Sequence, residues 1–569
     1  MKKLRITTAV VATMALAMSG MSAGATSAPT VRRKAQSSSN LSRGIQRPAP
    51  KPDALSSARS RGKLSRAEYT LERATSLFRL SNVRERYGDV ERPDPHDATL
   101  LMRDLALSKH NLSGSDRRRA NRILARPTDK DADPQGDGYE PGTLTEQFCS
   151  DADGASGDDV CFTYVESTSD AVPPTDTTPP NGFPDYVEDA AGSMATVWQK
   201  EINDLGYNPP QLDANSVNNG GSAKLDIYFA DIGDNGLYGY CTTDEPGAGN
   251  KQKVSAYCVL DNDYSPSQYD APPPEVTGTQ ALQVTLAHEF FHAVQFNYDW
   301  KEAKFLMEGT AVWIEDEVYD AINASYAFLF DSALHQPEIP LDAFQKGDDD
   351  ENFEYGAFIF FTQLAESYEF VSPPGVNMVR KVWNEAAKPN KKGMNAVQSA
   401  INDEGFPGPS TPFRDFFVWW GATNHYFDAF YSEGHDLGDS CDNTLDAYFD
   451  VLHCRYPPFD GMFQLGPGQN SKTRSVKLDR RSHRYIVIVP NGSTPLKTIV
   501  DLPQKNRGGE ASLLILNNNF TINYRRIKLN KSGSGSKSLN LVGNEWEIIL
   551  VLSNTGPHNK ETYKFRAEA

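Results

Sequence analysis

The chain has 569 residues, of which 38% are hydrophobic and 23% charged, with 42 Gly and 36 Pro. That is a loop-rich globular composition, long enough for about three or four domains at ~150 residues each. Lys+Arg 57 against Asp+Glu 75 gives a formal net charge of −18, which argues against a nucleic-acid binder or a polybasic membrane-surface protein.

Residues 1–25 read as a secretory signal peptide: Lys2, Lys3 and Arg5 precede an apolar run over 6–18, and Ala23, Gly24 and Ala25 form a small-residue cleavage position. The run is too short for a comfortable membrane span, and no later apolar stretch approaches ~18 residues. A secreted, extracellular protein with no stable membrane span in its mature form is therefore expected. Residues 26–140 are rich in Ser, Arg, Pro and Lys up to about Pro127, with one helical stretch over 64–78. They read as a propeptide or a disordered N-terminal region, ending in the Asp-, Pro- and Gly-rich boundary 126–143.

Residues 141–460 carry short strands at 161–165 and 225–230 and helical spacing over 186–205, 279–298, 305–329 and 355–368. This pattern predicts an α+β body. From 461 to 569 the β-rich runs 484–489, 512–516 and 546–552 alternate with Gly, Asn and Ser clusters, which predicts a small C-terminal all-β sandwich. The six cysteines lie at 149, 161, 241, 258, 441 and 454. In an exported chain they read as three disulfides, with neighbour pairing the simplest connectivity. The close-set pairs that a Cys-ligated metal requires are absent.

The stretch Leu286-Ala287-His288-Glu289-Phe290-Phe291-His292-Ala293 places His-Glu-x-x-His in a predicted helix. Histidines four apart share one helix face, so both can reach a single zinc ion, and the Glu between them is placed to act as general base on water without being a ligand. Leu286, Phe290, Phe291 and Val294 supply the buried surface of this helix, so the histidines are not needed for packing. A catalytic zinc needs a third protein ligand and an open position. Gln295 and Tyr298 stand where the metzincin Gly and third His would be. Glu308, at the start of the next predicted helix, is the expected third ligand, and Glu315, two turns on along the same face, can instead orient a histidine.

His288-Glu289-x-x-His292 followed by Met307-Glu308-Gly309-x-Ala311 resembles the gluzincin metallopeptidases. More narrowly, with Asn181 to Glu188 upstream, the chain is similar to a group of secreted bacterial metalloproteases. The resemblance covers about residues 148–370. It departs from the pattern in a shorter gap to Glu308 and in Val312, where an acidic residue is usual. It implies a zincin-like body, peptide-bond hydrolysis of a protein or peptide substrate with Glu289 as general base, and a Tyr or His donor to the oxyanion, for which Tyr355 is the candidate by position. An aminopeptidase and a non-catalytic extracellular binding protein with a structural zinc site are the alternatives. The stretch 181–188 also suggests an oxygen-rich Ca2+ loop, although Thr177 and Pro179 occupy its earlier ligand positions.

Overall fold

A computed structural model describes residues 52–569 apart from 153, 155–158, 215, 217, 270–275, 277, 344–352, 372–376, 433–456, 493–494 and 520. The expected signal peptide and the pair Cys441 and Cys454 lie outside the described residues.

Residues 52–140 carry five α-helices: α1 (Ala54–Ser60), α2 (Arg66–Phe78), α3 (Leu80–Tyr87), α4 (Ala98–Ser108) and α5 (Gly114–Ile123). Disorder therefore does not describe this stretch, and its physical basis was masked by composition. Helix α2 starts at a capping box, in which Ser65 Oγ accepts from the Glu68 amide and Glu68 Oε2 accepts from the Ser65 amide. The arginines that suggested a disordered region are paired. Arg73 meets Asp53 at 2.9 Å, and Arg86 and Arg119 converge on the buried Glu72 at 2.6 and 3.1 Å. The apolar faces of α2 and α4, including Leu71, Leu77, Leu100 and Leu105, belong to the same core as the rest of the body.

A mixed five-stranded sheet forms the centre of that body: β1 (Thr145–Ser150), β2 (Val160–Val165), β3 (Leu225–Ala230), β4 (Gly239–Thr242) and β5 (Tyr257–Asp261), in the order β1-β2-β3-β5-β4. Strands β2, β3 and β5 run parallel, whereas β1 and the edge strand β4 are antiparallel to their neighbours. Strands β2 and β3 are buried at every position, as a layer covered on both faces requires. Two disulfides, Cys149–Cys161 and Cys241–Cys258, tie β1 to β2 and β4 to β5.

Around the sheet lie α6 (Asp185–Trp198), α7 (Thr279–Asp299), α8 (Lys304–Val318), α9 (Phe353–Gly356), α10 (Phe358–Val371), α11 (Met378–Ala386), α12 (Met394–Glu404) and α13 (Pro412–Thr423). Two predicted helices are interrupted. The run after α8 breaks at Asn323, whose φ of 55° is left-handed, before a 3-10 turn over Ala324–Asp331. The stretch 355–368 divides between α9 and α10. No helix among the described residues is long and apolar enough to cross a membrane.

Beyond residue 460 two sheets pack face to face, β11-β10-β13-β8-β6 and β12-β9-β14-β7, with β6 (Gly461–Leu465), β7 (Arg474–Leu478), β8 (Ser482–Pro490), β9 (Pro495–Asp501), β10 (Gly509–Asn517), β11 (Ile522–Arg526), β12 (Ser534–Asn540), β13 (Glu545–Asn554) and β14 (Glu561–Glu568). Ile486, Leu513 and Leu550 from one sheet share a core with Leu496, Val500 and Phe565 from the other. The outer face of the larger sheet rests on the end of α13 through Tyr485, Val487 and Ile549, and Arg526 adds ion pairs at 2.7 Å to Asp415 on α13 and to Glu510.

Arg126 fastens the N-terminal helices to the central sheet. Its fully buried guanidinium pairs with Asp226, with Asp213 at 2.6 Å and with Asp244 at 2.9 Å, and lies 5.0 Å from the Tyr257 ring centroid. Removing one partner of such a group leaves buried carboxylates uncompensated. Arg126→Met is expected to destabilise the full chain by about 3–5 kcal/mol, read as a lower urea midpoint. An unchanged midpoint would show that the cluster does not hold the unit.

Candidate metal centre

Helix α7 runs through the middle of the molecule and is buried on nearly every face, so each polar side chain on it has to find a partner inside the protein. His288 and His292, one turn apart, bring their Nε2 atoms to 3.1 Å of each other. Helix α8 crosses them with Glu308, whose Oε2 lies 3.3 Å from His288 Nε2 and 3.4 Å from His292 Nε2. Gly309 permits the close seating of α8: a Cβ there would stand 3.0 Å from Ala357 Cβ and 3.2 Å from the Glu354 carbonyl oxygen. Among the described residues, His288, His292 and Glu308 are the group of three such side chains able to share one ion, with ligand atoms within 4.8 Å of one another.

Each histidine is oriented through its other nitrogen. His288 Nδ1 stands 2.6 Å from Glu315 Oε1, and His292 Nδ1 stands 2.8 Å from Gln295 Oε1. The Gln295 amide is itself fixed, because its Nε2 donates to the Met307 carbonyl at 2.9 Å and to Thr310 Oγ1 at 3.1 Å. Both Nδ1 atoms thus face acceptors, which assigns the proton to Nδ1 and leaves a lone pair on each Nε2. Glu308 is fully buried and neither of its oxygens receives a hydrogen bond. Two imidazole lone pairs and an unsatisfied carboxylate therefore converge on one point, an arrangement that a divalent cation satisfies.

The charges respond to this crowding. Burial works against ionising Glu308, yet His292 and His288 hold its carboxyl well below the usual range. Burial likewise opposes a charge on His288, but Glu308 and Glu315 raise it well above an ordinary histidine. A metal ion takes the neutral imidazole, so ion binding here would be coupled to proton release.

Glu289 lies on the cavity side of the same turn. Its Oε2 accepts a 2.9 Å hydrogen bond from Thr99 Oγ1, 190 residues away in sequence, and Thr99 Oγ1 in turn accepts from the Cys241 amide at 2.8 Å. Burial raises the Glu289 carboxyl, although His292, His288 and Thr99 pull in the other direction. Gly239 lets β4 approach this residue: a Cβ there would meet Thr285 Cγ2 at 2.9 Å and Glu289 Cγ at 3.1 Å. A cavity of about 550 Å3 opens beside Glu289, His288 and Glu315, walled by Tyr238, His96 and Phe328.

Tyr355 is not among the three grouped side chains. It is fully buried, packs 5.0 Å from the Phe328 ring, and donates its hydroxyl to Asp97 Oδ1 at 3.4 Å. Burial raises its phenol well above the ordinary value, and Glu308 and Asp97 add to this. In the stretch 181–188, Asp185 accepts from the Thr177 and Thr178 amides, each at 3.0 Å, and Asn181 donates to Glu188 at 2.8 Å, so the loop is closed by its own hydrogen bonds. Sequence reasoning placed Glu315 as a possible orienting residue but missed Thr99 and Asp97. Neither carries a motif, and both reach the site only through the fold.

No protein-family model matches the chain, and no curated protein matches it. Among solved structures, the pre-peptidase C-terminal domain of collagenase from Bacillus anthracis is similar over 20% of this chain and 97% of its own, at 13% identity and a TM-score of 0.16. A beta-glucosidase from Paenibacillus barengoltzii is similar over 18% of this chain and 11% of its own, at 13% identity and a TM-score of 0.12. A family GH115 4-O-methyl-alpha-glucuronidase matches over 50% and 42%, at 6% identity and a TM-score of 0.13. Zinc affinity, measured by competition with a chromophoric chelator, is expected to fall ~10–100-fold in Glu315→Ala, which releases only the orienting bond to His288. It should fall further in Glu308→Ala, and equal affinity in both variants and the parent would remove the centre.

Proposed function

We propose that the chain is a secreted zinc-dependent metallopeptidase of the gluzincin type that hydrolyses peptide bonds. The observation that carries this reading is the buried, hydrogen-bond-free carboxylate of Glu308 facing two imidazole lone pairs, with Glu289 beside it on an open cavity. His288, His292 and Glu308 would hold the ion, which when bound supplies a Lewis acid that polarises a carbonyl and acidifies water.

The remaining work falls to the protein. Glu289 takes a proton from water on a carboxylate oxygen and returns it to the leaving amine nitrogen. The raised pKa of its buried carboxyl suits both halves of that transfer, since a carboxyl that holds its proton more tightly is also the stronger base. Thr99 fixes Oε2 and so sets the orientation of the carboxylate. Glu315 and Gln295 keep the imidazoles in the tautomer that leaves Nε2 free. Tyr355 remains the candidate donor to the developing oxyanion, with Asp97 as its partner in the resting site.

A structural zinc site is disfavoured by the same geometry. Such sites are closed by four protein ligands, whereas three side chains converge here and a cavity reaches the cluster. Two disulfides within the body fit an oxidising compartment and hence export. Glu289→Gln is expected to lower hydrolysis of casein by at least ~100-fold while zinc remains bound at the parental stoichiometry. Full hydrolysis by that variant would sink the mechanism.

A further inference from the structure

Strand β4 is four residues long and buried at every position, and it backs the turn of α7 that carries Glu289. Gly239 and Cys241 share one of its faces by the two-residue period of a strand. At Gly239 a Cβ would stand 3.1 Å from Glu289 Cγ and 2.9 Å from Thr285 Cγ2, so the stem of the carboxylate rests on bare backbone. At Cys241 the Sγ lies 3.0 Å from the Glu289 carbonyl oxygen, and Cys258 Sγ lies 4.0 Å from the same atom. Both sulfurs belong to one disulfide and carry no proton, so these are packing contacts and not hydrogen bonds. The Cys241 amide donates to Thr99 Oγ1 at 2.8 Å, and Thr99 Oγ1 donates to Glu289 Oε2 at 2.9 Å. One short strand thus meets the stem, the backbone and, through Thr99, a carboxylate oxygen of the same residue.

The register of that strand decides which atoms Glu289 meets. Four pairs join β4 to β5, from Gly239 opposite Leu260 to Thr242 opposite Tyr257. A slip by one residue would turn Gly239 away from α7 and bring Tyr240 toward it, whereas Tyr240 now donates its hydroxyl to Asp137 Oδ2. Cys241 and Cys258 stand directly opposite each other in this ladder, both fully buried, and the bond between them fixes the register. Cys149–Cys161 is the same kind of link, between directly opposed residues of β1 and β2, but at the opposite edge of the sheet.

We propose that the Cys241–Cys258 disulfide is a positioning element of the hydrolytic site, locking β4 in the register that aims the Glu289 carboxylate. This rests on the peptidase reading, in which Glu289 moves the proton. The histidines that would hold zinc are fixed separately, through Glu315 and Gln295. Loss of the bond is therefore expected to lower turnover and to leave the ion in place. A carboxylate displaced by about 1 Å is enough to cost on the order of 100-fold in rate.

Two double variants of the full zinc-loaded chain test this: Cys241→Ala with Cys258→Ala, and Cys149→Ala with Cys161→Ala. The two bonds span 17 and 12 residues, so they constrain the unfolded chain almost equally and the second variant controls for lost stability. With an internally quenched peptide that the parent cleaves, kcat is expected to fall on the order of tenfold or more in the first variant and to stay within about twofold in the second. KM and zinc stoichiometry should keep their parental values in both. Equal losses of kcat in the two variants, or none in the first, would overturn the proposal. Should the first variant fail to fold, the folded parent is reduced with a phosphine, which converts the disulfide to two thiols and itself takes up the oxygen of a water. Turnover that falls as the Cys241 and Cys258 thiols appear, and returns on reoxidation, supports the proposal; full turnover with both reduced defeats it. A parent that hydrolyses nothing defeats the peptidase reading, and hydrogen exchange over residues 284–294 then decides the role of the bond. Faster exchange there in the first variant alone supports the lock on Glu289, and equal exchange in both variants removes it.

Discussion

A carboxylate buried as deeply as that of Glu308 has to be matched by positive charge, because isolated burial of such a group costs several kcal/mol. The surroundings offer it no hydrogen-bond donor other than the facing imidazole edges. Much of the body can be read as the consequence. Helix α7 brings two histidines to one point, α8 carries the carboxylate across them, and the small residue Gly309 lets α8 sit close enough to α9 and α10 to hold that position. Positive charge among these ligand atoms is therefore what the geometry of the site calls for.

The orienting layer extends this constraint outward. Gln295 fixes His292, and it is fixed in turn by the Met307 carbonyl and Thr310; Thr310 also accepts from Trp383 Nε1 at 3.2 Å. Helices α7, α8 and α11 are therefore linked through one chain of buried hydrogen bonds. Such networks are costly when half satisfied, so every link restricts the rotamers available to the next. Glu315 does the same for His288 with a carboxylate, which strengthens the imidazole as a donor of electron density. The two histidines are held by different chemistries, one charged and one neutral.

The parts of this arrangement that were legible in the sequence are those encoded over short separations. His288, Glu289 and His292 sit within one helical turn, and Glu308 and Glu315 lie two turns apart on one face of the following helix. Helical periodicity alone relates them. The C-terminal β-runs were legible for a similar reason, since alternation and turn residues mark strands locally. Thr99 and Asp97 were not legible, because a Thr and an Asp in a charged, Ser- and Arg-rich stretch carry no signal until the fold brings them to Glu289 and Tyr355. The same stretch suggested a propeptide or a disordered region by composition. Its arginines prove to be ion-pair partners of Asp53 and Glu72, so charge that looked like solvated disorder is internal to a helical unit. The break at Asn323 was hidden for the opposite reason, as the apolar pattern of 305–329 continues through it while the backbone turns.

Thr99 joins these threads. One hydroxyl donates to the candidate general base and accepts from the buried edge strand β4 of the sheet, so the residue that ties α4 to the sheet and the group that orients Glu289 are the same. A separable segment would carry most of its apolar surface in a core of its own. Among the described residues a minor cluster around Leu55, Val83 and Val90 is private to the N-terminal unit, while α2 and α4 contribute to the central core. Detaching the unit would expose that core and free the Glu289 carboxylate at one stroke. Stability and site geometry are therefore coupled through α4. The same contact that packs α4 against the edge strand keeps the Glu289 carboxylate aligned.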